Sequence, residues 1–505
     1  MSNFTQIPDS LLVPGMYQEI DNSLAGTREE PKKILLIGSF NSITGTAKDG
    51  VIERVTSTIK AYEKFGYGSN LSIMAENFLA VNKENELYAL PVLCDGIAFS
   101  QKYKVELKEA TTGNIKIKVN TNEMTVSVVK DDTAESIAGK ITASVNSVLN
   151  LPITATVDKK ETPETTQPEE GGEQITTTKT EIFVIFTAIS KGDFGIIFNI
   201  ESDTSKNALT LSEKTDASDS PITTWKKYFE AMGETRYNYI VNSFNDANTL
   251  KSFAEELESR YSALRQIGGR MFVYLKGDIG DTSEENSIIG RTLKINSPHI
   301  VVIPILNTAE LPIVFLTRIS AVAITSLIKD PASNTWGIEV SGISADKPLN
   351  FDERQALLKG GVATYTLNNS GTVLIERLVT SYTTNAEGER DTSYLDIQVV
   401  ETVDAIRSYI NTEAKRKFKG WKLASTTETF GAGAKVMNAE VWKSFLCELY
   451  QSVFIAEKQW AQDFNSYKDS LTAQVKSGTK TWLEYTHQPN LIGQFYIGTG
   501  LNQFK

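Results

Sequence analysis

KKILLIG, Lys32 to Gly38, decides how the chain is read. Four consecutive aliphatic residues closed by glycine are the form of a strand buried on both faces, the condition of a parallel sheet covered by helices; a half-exposed strand would alternate instead. The same form returns downstream in ELYALPVL, in YNYIVN at Tyr237–Asn242, in MFVYL at Met271–Leu275 and in HIVVIPI at His299–Ile305. Helical spacing fills the gaps. Leu71, Met74, Ala75, Phe78 and Leu79 fall three and four apart, FGYGSN at Phe65–Asn70 is a tight turn that caps this helix, and further helices are expected from Asp246, near Ser283 and from about Pro312. Strand and helix in alternation predict an α/β fold, a mainly parallel sheet with flanking helices.

Two regions depart from this pattern. From Phe99 to Thr215, YKVELKE, GNIKIKVN, TVSVVKD, EIFVIFTAI and GIIFNI read as strands, and AESIAGKITASVNSVLN as a helix capped by Asp131 or Thr133. This predicts an inserted strand-rich α+β domain at 99–215. Inside it Lys159–Thr180 is nearly devoid of apolar residues and is expected to be an exposed or disordered loop. Beyond Asp346 a helix over FDERQALLKGGV leads to a hairpin turning at Asn385–Gly388, with strands around Val373–Tyr382 and Leu395–Val400. Two amphipathic helices follow, one carrying Val403, Ile406, Ile410, Ala414 and Phe418 and ending at Gly420, the other carrying Val441, Phe445, Leu449 and Phe454 after an Asn438 cap.

The totals bound the function. At 505 residues the chain has room for about three domains at roughly 150 residues each. A net charge of -11 argues against nucleic acid as the main partner, because phosphate binding wants a basic surface. Cys94 and Cys447 sit in apolar contexts with no CxxC spacing, the pattern of small buried residues in a reducing compartment. The first residues lack a basic start followed by an apolar stretch, so no secretory signal is expected, and Ile300–Ile328 is too interrupted for a membrane span. A soluble protein made in the cytoplasm is the expectation.

Catalytic chemistry has little material. Only two histidines are present, His299 and His487, too few for a Ser/His/Asp site with alternatives or for a histidine-rich metal site. AESIAGKIT has the Gly-Lys of a phosphate loop but not its first glycine or its magnesium hydroxyl, and KKILLIGSFNSITG lacks GxGxxG. One charge cluster stands out: Lys415, Arg416, Lys417, Lys419 and Lys422 close an amphipathic helix. Compensation of the helix dipole explains it in part, and contact with an acidic partner surface is the alternative. The last stretch, QFYIGTGLNQFK, has Phe495, Ile497 and Leu501 in one parity and so reads as a strand whose apolar face needs a cover.

IPDSLLVPGMYQEIDNSLAG before the first buried strand, DTAESIAGKITASVNSVLNLPITATV, IERLVTSYTTNAEGERDTSYLDIQ and QPNLIGQFYIGTGLNQFK together resemble Mu-like contractile phage tail sheath proteins. The resemblance implies a non-catalytic, subtilisin-like core at 26–98 and 216–345, the insert as an outer domain, a C-terminal α+β domain at 346–489 facing a tail tube, and extended arms at 1–25 and 490–505. It further implies a structural subunit of stacked six-fold rings that contract to drive the tube through a cell envelope. Partners would be other copies of the chain, the tail tube protein, and baseplate and terminator proteins, in a virion tail or tail-like particle assembled in a bacterial cytoplasm. No cofactor, metal, direct nucleic-acid contact or membrane insertion is implied. The arms would pair with neighbours through Val13, Tyr17, Glu19 and Ile20 at one end and Phe495, Tyr496, Ile497, Leu501 and Phe504 at the other. Lys415, Arg416, Lys417, Lys419 and Lys422 become the candidate tube contact. The alternative is an α/β hydrolase-like or nucleotide-binding enzyme.

Overall fold

A computed structural model describes residues 31–504 apart from 108–111, 167–174, 203–206, 219–221, 282, 283, 285, 427, 429 and 432. The expected N-terminal arm, with Val13, Tyr17, Glu19 and Ile20, therefore lies outside the described residues.

The central sheet has six strands: β1 (Lys33–Ser39), β2 (Glu53–Val55), β3 (Glu86–Val92), β4 (Tyr239–Asn242), β5 (Arg270–Lys276) and β6 (Ile300–Ile305). Their order is β6-β5-β4-β1-β3-β2, parallel throughout except for β2 on β3. KKILLIG is the middle of this sheet. Leu36 stands between Val241 and Ala89, and Ile34 to Ile37 are all fully buried, which is why that run carries no polar alternation. Helices start where polar caps allow them: Ser57, Ser69, Asp246 and Ser287 each accept a hydrogen bond from a backbone N–H of the first turn. The helix expected near Ser283 begins at this Ser287 cap and runs Ile288–Ile295. Helix Pro312–Lys329 is long and apolar enough to cross a membrane by composition, but Phe315, Leu316, Ala323 and Ile324 are fully buried in the core, packed with helix Asn70–Leu79 and the sheet.

The chain leaves this sheet after β3 and returns at β4. In between, Ser100–Leu107, Ile153–Thr166, Ile175–Ala188 and Asn207–Thr215 form one antiparallel sheet and Gly113–Val119, Asn122–Val128 and Phe198–Ser202 another. Helix Ala134–Ser147, capped by Thr133, buries Ile137, Ala138, Ile141 and Val145 in a separate apolar core with them. The described part of the polar stretch expected to be a loop, 159–166 and 175–180, is instead paired strand, residue by residue from Ile153↔Ala188 out to Thr166↔Ile175. Its threonines explain the difference: a β-branched chain continues an established register although it has nothing to bury. The insert sits on the core through polar contacts, with Asn150 Oδ1 accepting from Gly68 N and Ser72 Oγ at 2.7 Å each and Asn120 Nδ2 donating to Ala309 O at 3.1 Å.

The C-terminal region departs from the sequence reading in two ways. Strand Thr372–Arg377 pairs with Glu339–Ser344 and Thr364–Leu367, and the Asn385–Gly388 turn is present, but the expected return over Leu395–Val400 is reduced to one antiparallel bridge, Val379↔Asp396. Residues from Ile397 on begin a helix, Ile397–Lys417. IQVVETV is β-branched enough to read as a strand, yet Ile397, Val400, Asp404 and Ile406 are buried at helical spacing. The main apolar core also runs past Asp346, through Leu357, Tyr365 and Ile375 to Ile397, while a third core begins at Ile406. One helix thus enters both cores. The third core is completed by helix Ala439–Glu448, capped by Asn438, which continues as a π-helical segment, Leu449–Glu457.

The seat of the insert can be tested with two glycines. Gly68 has φ +73° and an added Cβ would lie 2.2 Å from Leu151 O, whereas Gly139 lies within a helix with open space around it. Gly68→Ala is expected to lower stability by about 1–3 kcal/mol, and Gly139→Ala to raise it by about 0.5–1 kcal/mol, both read from urea unfolding. Equal effects of the two substitutions would contradict the docking contact.

Candidate assembly surfaces

The C-terminal tail divides in two. Asn490–Leu491 pairs with Ala461–Gln462, Ile492 N donates to Trp460 O at 3.1 Å, Gln494 Nε2 donates to Ala332 O at 3.2 Å, and Asn334 Nδ2 donates to Phe495 O at 2.9 Å. Tyr496 is half-buried beside them. Its hydroxyl accepts from Gln398 Nε2 at 3.1 Å and the Arg377 guanidinium lies 4.7 Å from its ring centre. Burial pushes its phenol up to about 12. Beyond it no hydrogen bond among the described residues holds residues 497–504, which lie outside any helix or strand and are exposed. The apolar parity expected from the sequence points to solvent, with Phe495 75%, Ile497 74% and Leu501 83% exposed, and Phe504, of the other parity, is 97% exposed.

A second surface lies close by in sequence. Thr472–Val475 and Leu483–Thr486 form a two-stranded antiparallel sheet, Ala473 opposite Tyr485 and Val475 opposite Leu483, with no third strand on either edge among the described residues. Such a pair is marginal alone. It is held by Trp442 of helix Ala439–Glu448 against Tyr485, ring centres 5.1 Å apart, and by Tyr467 hydrogen-bonded to His487 Nδ1 at 3.1 Å. Trp482 remains 54% exposed under the Lys476 ammonium, 3.5 Å above its ring. The sequence analysis passes over this hairpin. Its signal is nonetheless present, as alternating TAQV and WLEYT flank the turn-forming KSGTK.

The five basic residues gather at the end of helix Ile397–Lys417 and the turn after it, where cations complement the dipole. Arg416 pairs with Glu413 at 2.7 Å and Lys417 with Glu448 at 2.9 Å. Lys415, Lys419 and Lys422 are exposed and make no ion pair among the described residues. Beside them Phe418, Trp421, Phe430, Val436 and Phe445 line a cleft of about 380 Å³.

Among the described residues no catalytic constellation accompanies these surfaces. His299 sits at the start of β6, 1% exposed. Its Nε2 is 3.0 Å from Glu258 and its Nδ1 is 3.3 Å from Arg270 Nη1. A guanidinium only donates, so Nδ1 accepts and the proton rests on Nε2, given to the carboxylate. Both ring nitrogens are therefore used. Burial, with Arg270 adding to it, pushes the imidazole down despite Glu258. Around Arg270, itself 0% exposed, Glu401 lies at 3.0 Å and accepts from the Tyr239 hydroxyl at 2.7 Å, while Asp404 pairs with Arg236 at 2.5 Å and Arg407 at 2.6 Å. Burial would raise Asp404, but the three guanidiniums outweigh it and hold the carboxyl below its ordinary range. At the C-terminal ends of β1 and β4, where a parallel sheet of this order usually takes a ligand, a Cβ on Gly38 would already touch Ser243, Leu71 and Met74 at 3.2–3.3 Å. That crevice is filled by the protein. Among the described residues no group of three or more His, Cys, Asp or Glu is arranged to hold a metal. Neither Cys94, which is buried, nor the half-buried Cys447 forms a disulfide.

No protein-family model matches the chain. It is 26% identical over 520 aligned residues, 99% of each chain, to the tail sheath protein of the Mu-like prophage FluMu of Haemophilus influenzae. Among solved structures it is similar to a sheath tail protein from Desulfitobacterium hafniense, at TM-score 0.46 and 10% identity over 95% of this chain and 100% of that one. A sheath tail protein from Listeria innocua gives TM-score 0.45 and 12% identity over 93% and 97%. The resemblance noted in the sequence thus extends along the whole chain, and the relative is a structural protein, not an enzyme.

The buried charges make stability depend on pH in a stated direction. Both groups have folded pKa values below their unfolded ones, so each contribution is complete above the unfolded value and is lost as pH falls toward the folded one. For His299 the loss begins below 6.5 and for Asp404 below 3.8. His299→Gln is expected to remove the first step from a plot of unfolding free energy against pH. Asp404→Asn should cost about 3 kcal/mol at pH 7, because three guanidiniums lose their shared carboxylate, and flatten the acid limb; an unchanged limb would contradict the network.

Proposed function

We propose that this chain, which aligns with a Mu-like prophage tail sheath protein over 99% of its length, is itself the structural subunit of a contractile tail sheath, and that its C-terminal arm adds a strand to a neighbouring copy. The observation that carries strand donation is the exposed apolar face of the tail, Phe495, Ile497 and Leu501, on a segment with no partner strand among the described residues. An extended segment with free backbone groups and an apolar parity is complementary to an open sheet edge. The two-stranded sheet of Thr472–Val475 and Leu483–Thr486 offers two such edges and an exposed Trp482. If a lent strand makes about five backbone hydrogen bonds at roughly 1 kcal/mol net each, one arm contributes only several kcal/mol, and strength comes from repetition over many subunits.

In this reading the chain stacks as six-fold rings around a tail tube. Residues 1–25 and 490–505 are the arms, with Val13, Tyr17, Glu19 and Ile20 as contacts of the first. Residues 26–98 and 216–345 form the sheath core, which the family likeness takes to be subtilisin-like; 99–215 form the outer domain and 346–489 the part that faces the tube. Partners are other copies, the tube, the baseplate and the terminator, in a virion tail or tail-like particle assembled in the bacterial cytoplasm. Contraction exchanges one packing of the subunits for another, each copy contributing the difference in contact free energy between the two. Lys415, Arg416, Lys417, Lys419 and Lys422 are the proposed contact with the tube. The exposure of three of them beside an aromatic cleft supports an electrostatic contact of modest strength.

Electron microscopy of the purified chain beside a chain ending at Pro489 tests the reading. Hollow cylinders are expected from the full chain and dispersed particles from the truncated one; cylinders from both would overturn strand donation. Replacing Lys415, Lys419 and Lys422 by glutamine should leave the fold unchanged and weaken retention of the extended sheath on its tube, most visibly at low salt, where the parent's charges are least screened. Unchanged extended tails would remove the cluster from the contact.

A further inference from the structure

The tail does not leave the body where its last strand ends. After Asn490–Leu491 it runs over the loop that follows helix Pro312–Lys329, bonded to Ala332 O and to Asn334, and reaches the first turn of helix Ile397–Lys417. There Tyr496 fits between two residues that are themselves fixed. Gln398 is fully buried and its Nε2 is shared between Ser333 O and the Tyr496 hydroxyl, both at 3.1 Å. Arg377 is held by a bidentate pair with Asp396 at 2.8 and 2.9 Å, which presents its guanidinium face to the ring at 4.7 Å. Tyr496 has the opposite parity to Phe495 and Ile497, so seating its ring inward turns the apolar side chains outward.

We propose that Tyr496 is a clamp that divides the terminal segment into a root fixed on its own subunit, 490–496, and a free donor of eight residues, 497–504, aimed at a second copy of this chain. This rests on the strand-donation reading and adds to it the place where the donor begins. Eight extended residues reach roughly 26 Å at about 3.3 Å each, so the clamp limits which neighbour an arm can reach. Without it the freed segment would start after Ile492, which stays bonded to Trp460, roughly half again the length, and pairing would carry the cost of ordering the additional residues. The clamp also fixes parity. A donor that emerges with Phe495, Ile497 and Leu501 outward enters an edge in one register, because a slip by one residue would turn all of them to the other face.

Hydrogen exchange on the unassembled chain tests the clamp without reference to assembly. Amides of 492–496 should exchange more slowly than those of 498–504, and Tyr496→Ala should remove the difference while Tyr496→Phe, which keeps the ring over Arg377, retains most of it. In assembly, Tyr496→Ala should raise the concentration needed for cylinders roughly tenfold, about 1.4 kcal/mol, with the donor sequence intact and the melting temperature unchanged, and Tyr496→Phe should stay near the parent. A chain ending at Tyr496 should form no cylinders. If that truncation assembles normally, strand donation itself fails. If it does not assemble but Tyr496→Ala behaves as the parent in both exchange and assembly, donation stands and the clamp is overturned.

Discussion

The arrangement of this molecule depends on the charges buried between the N-terminal ends of the sheet's strands and helix Ile397–Lys417. Arg270 on β5 is fully buried, and taking a guanidinium out of water is tolerable only where carboxylates meet it. Glu401 and Asp404 come from the helix, and Arg236 and Arg407 complete the balance. Apolar contact alone would allow the helix to slide by a turn, since one aliphatic side chain replaces another at little cost. Five charged groups that must all be paired do not allow it. The same helix carries Gln398 at its start, Ile406 and Ile410 in the third core and the lysines at its end. Tail, hairpin and basic cluster therefore take their positions from one buried network.

Much of this was legible in the sequence, and what was missed has a common cause. Ile34–Ile37, the Val-rich β5 and β6 and the helix caps announce themselves through local pattern, because a strand buried on both faces has no other way to be written. The start of the helix at Ile397 was misread because Ile397, Val399 and Val400 favour a strand locally, and only the burial of Asp404 among arginines shows which face is inside. The Lys159–Thr180 ribbon was misread for the opposite reason. Its composition is that of a loop, and its register is inherited from Ile153–Val157 and Phe183–Thr187, which lie beneath it in the hairpin. At the assembly surfaces the tail's parity was visible, whereas the partners of Tyr496 were not, since Arg377 and Gln398 stand about a hundred positions away.

A protein whose work is assembly can leave its apolar residues exposed where an enzyme would bury them. Phe495, Ile497, Leu501 and Phe504 on a free tail, and Trp482 on an open hairpin, are hazards for a monomer. They become economical in a repeating lattice, where every copy offers both the strand and the edge. The interior shows the complementary feature. The crevice at Gly38 is filled, and both nitrogens of His299 are engaged with Glu258 and Arg270. Polar groups that might do chemistry are used to hold the helix that aims the tail. The folding of the subunit and its association thus meet at Tyr496, whose ring belongs to the body and whose chain neighbours face outward.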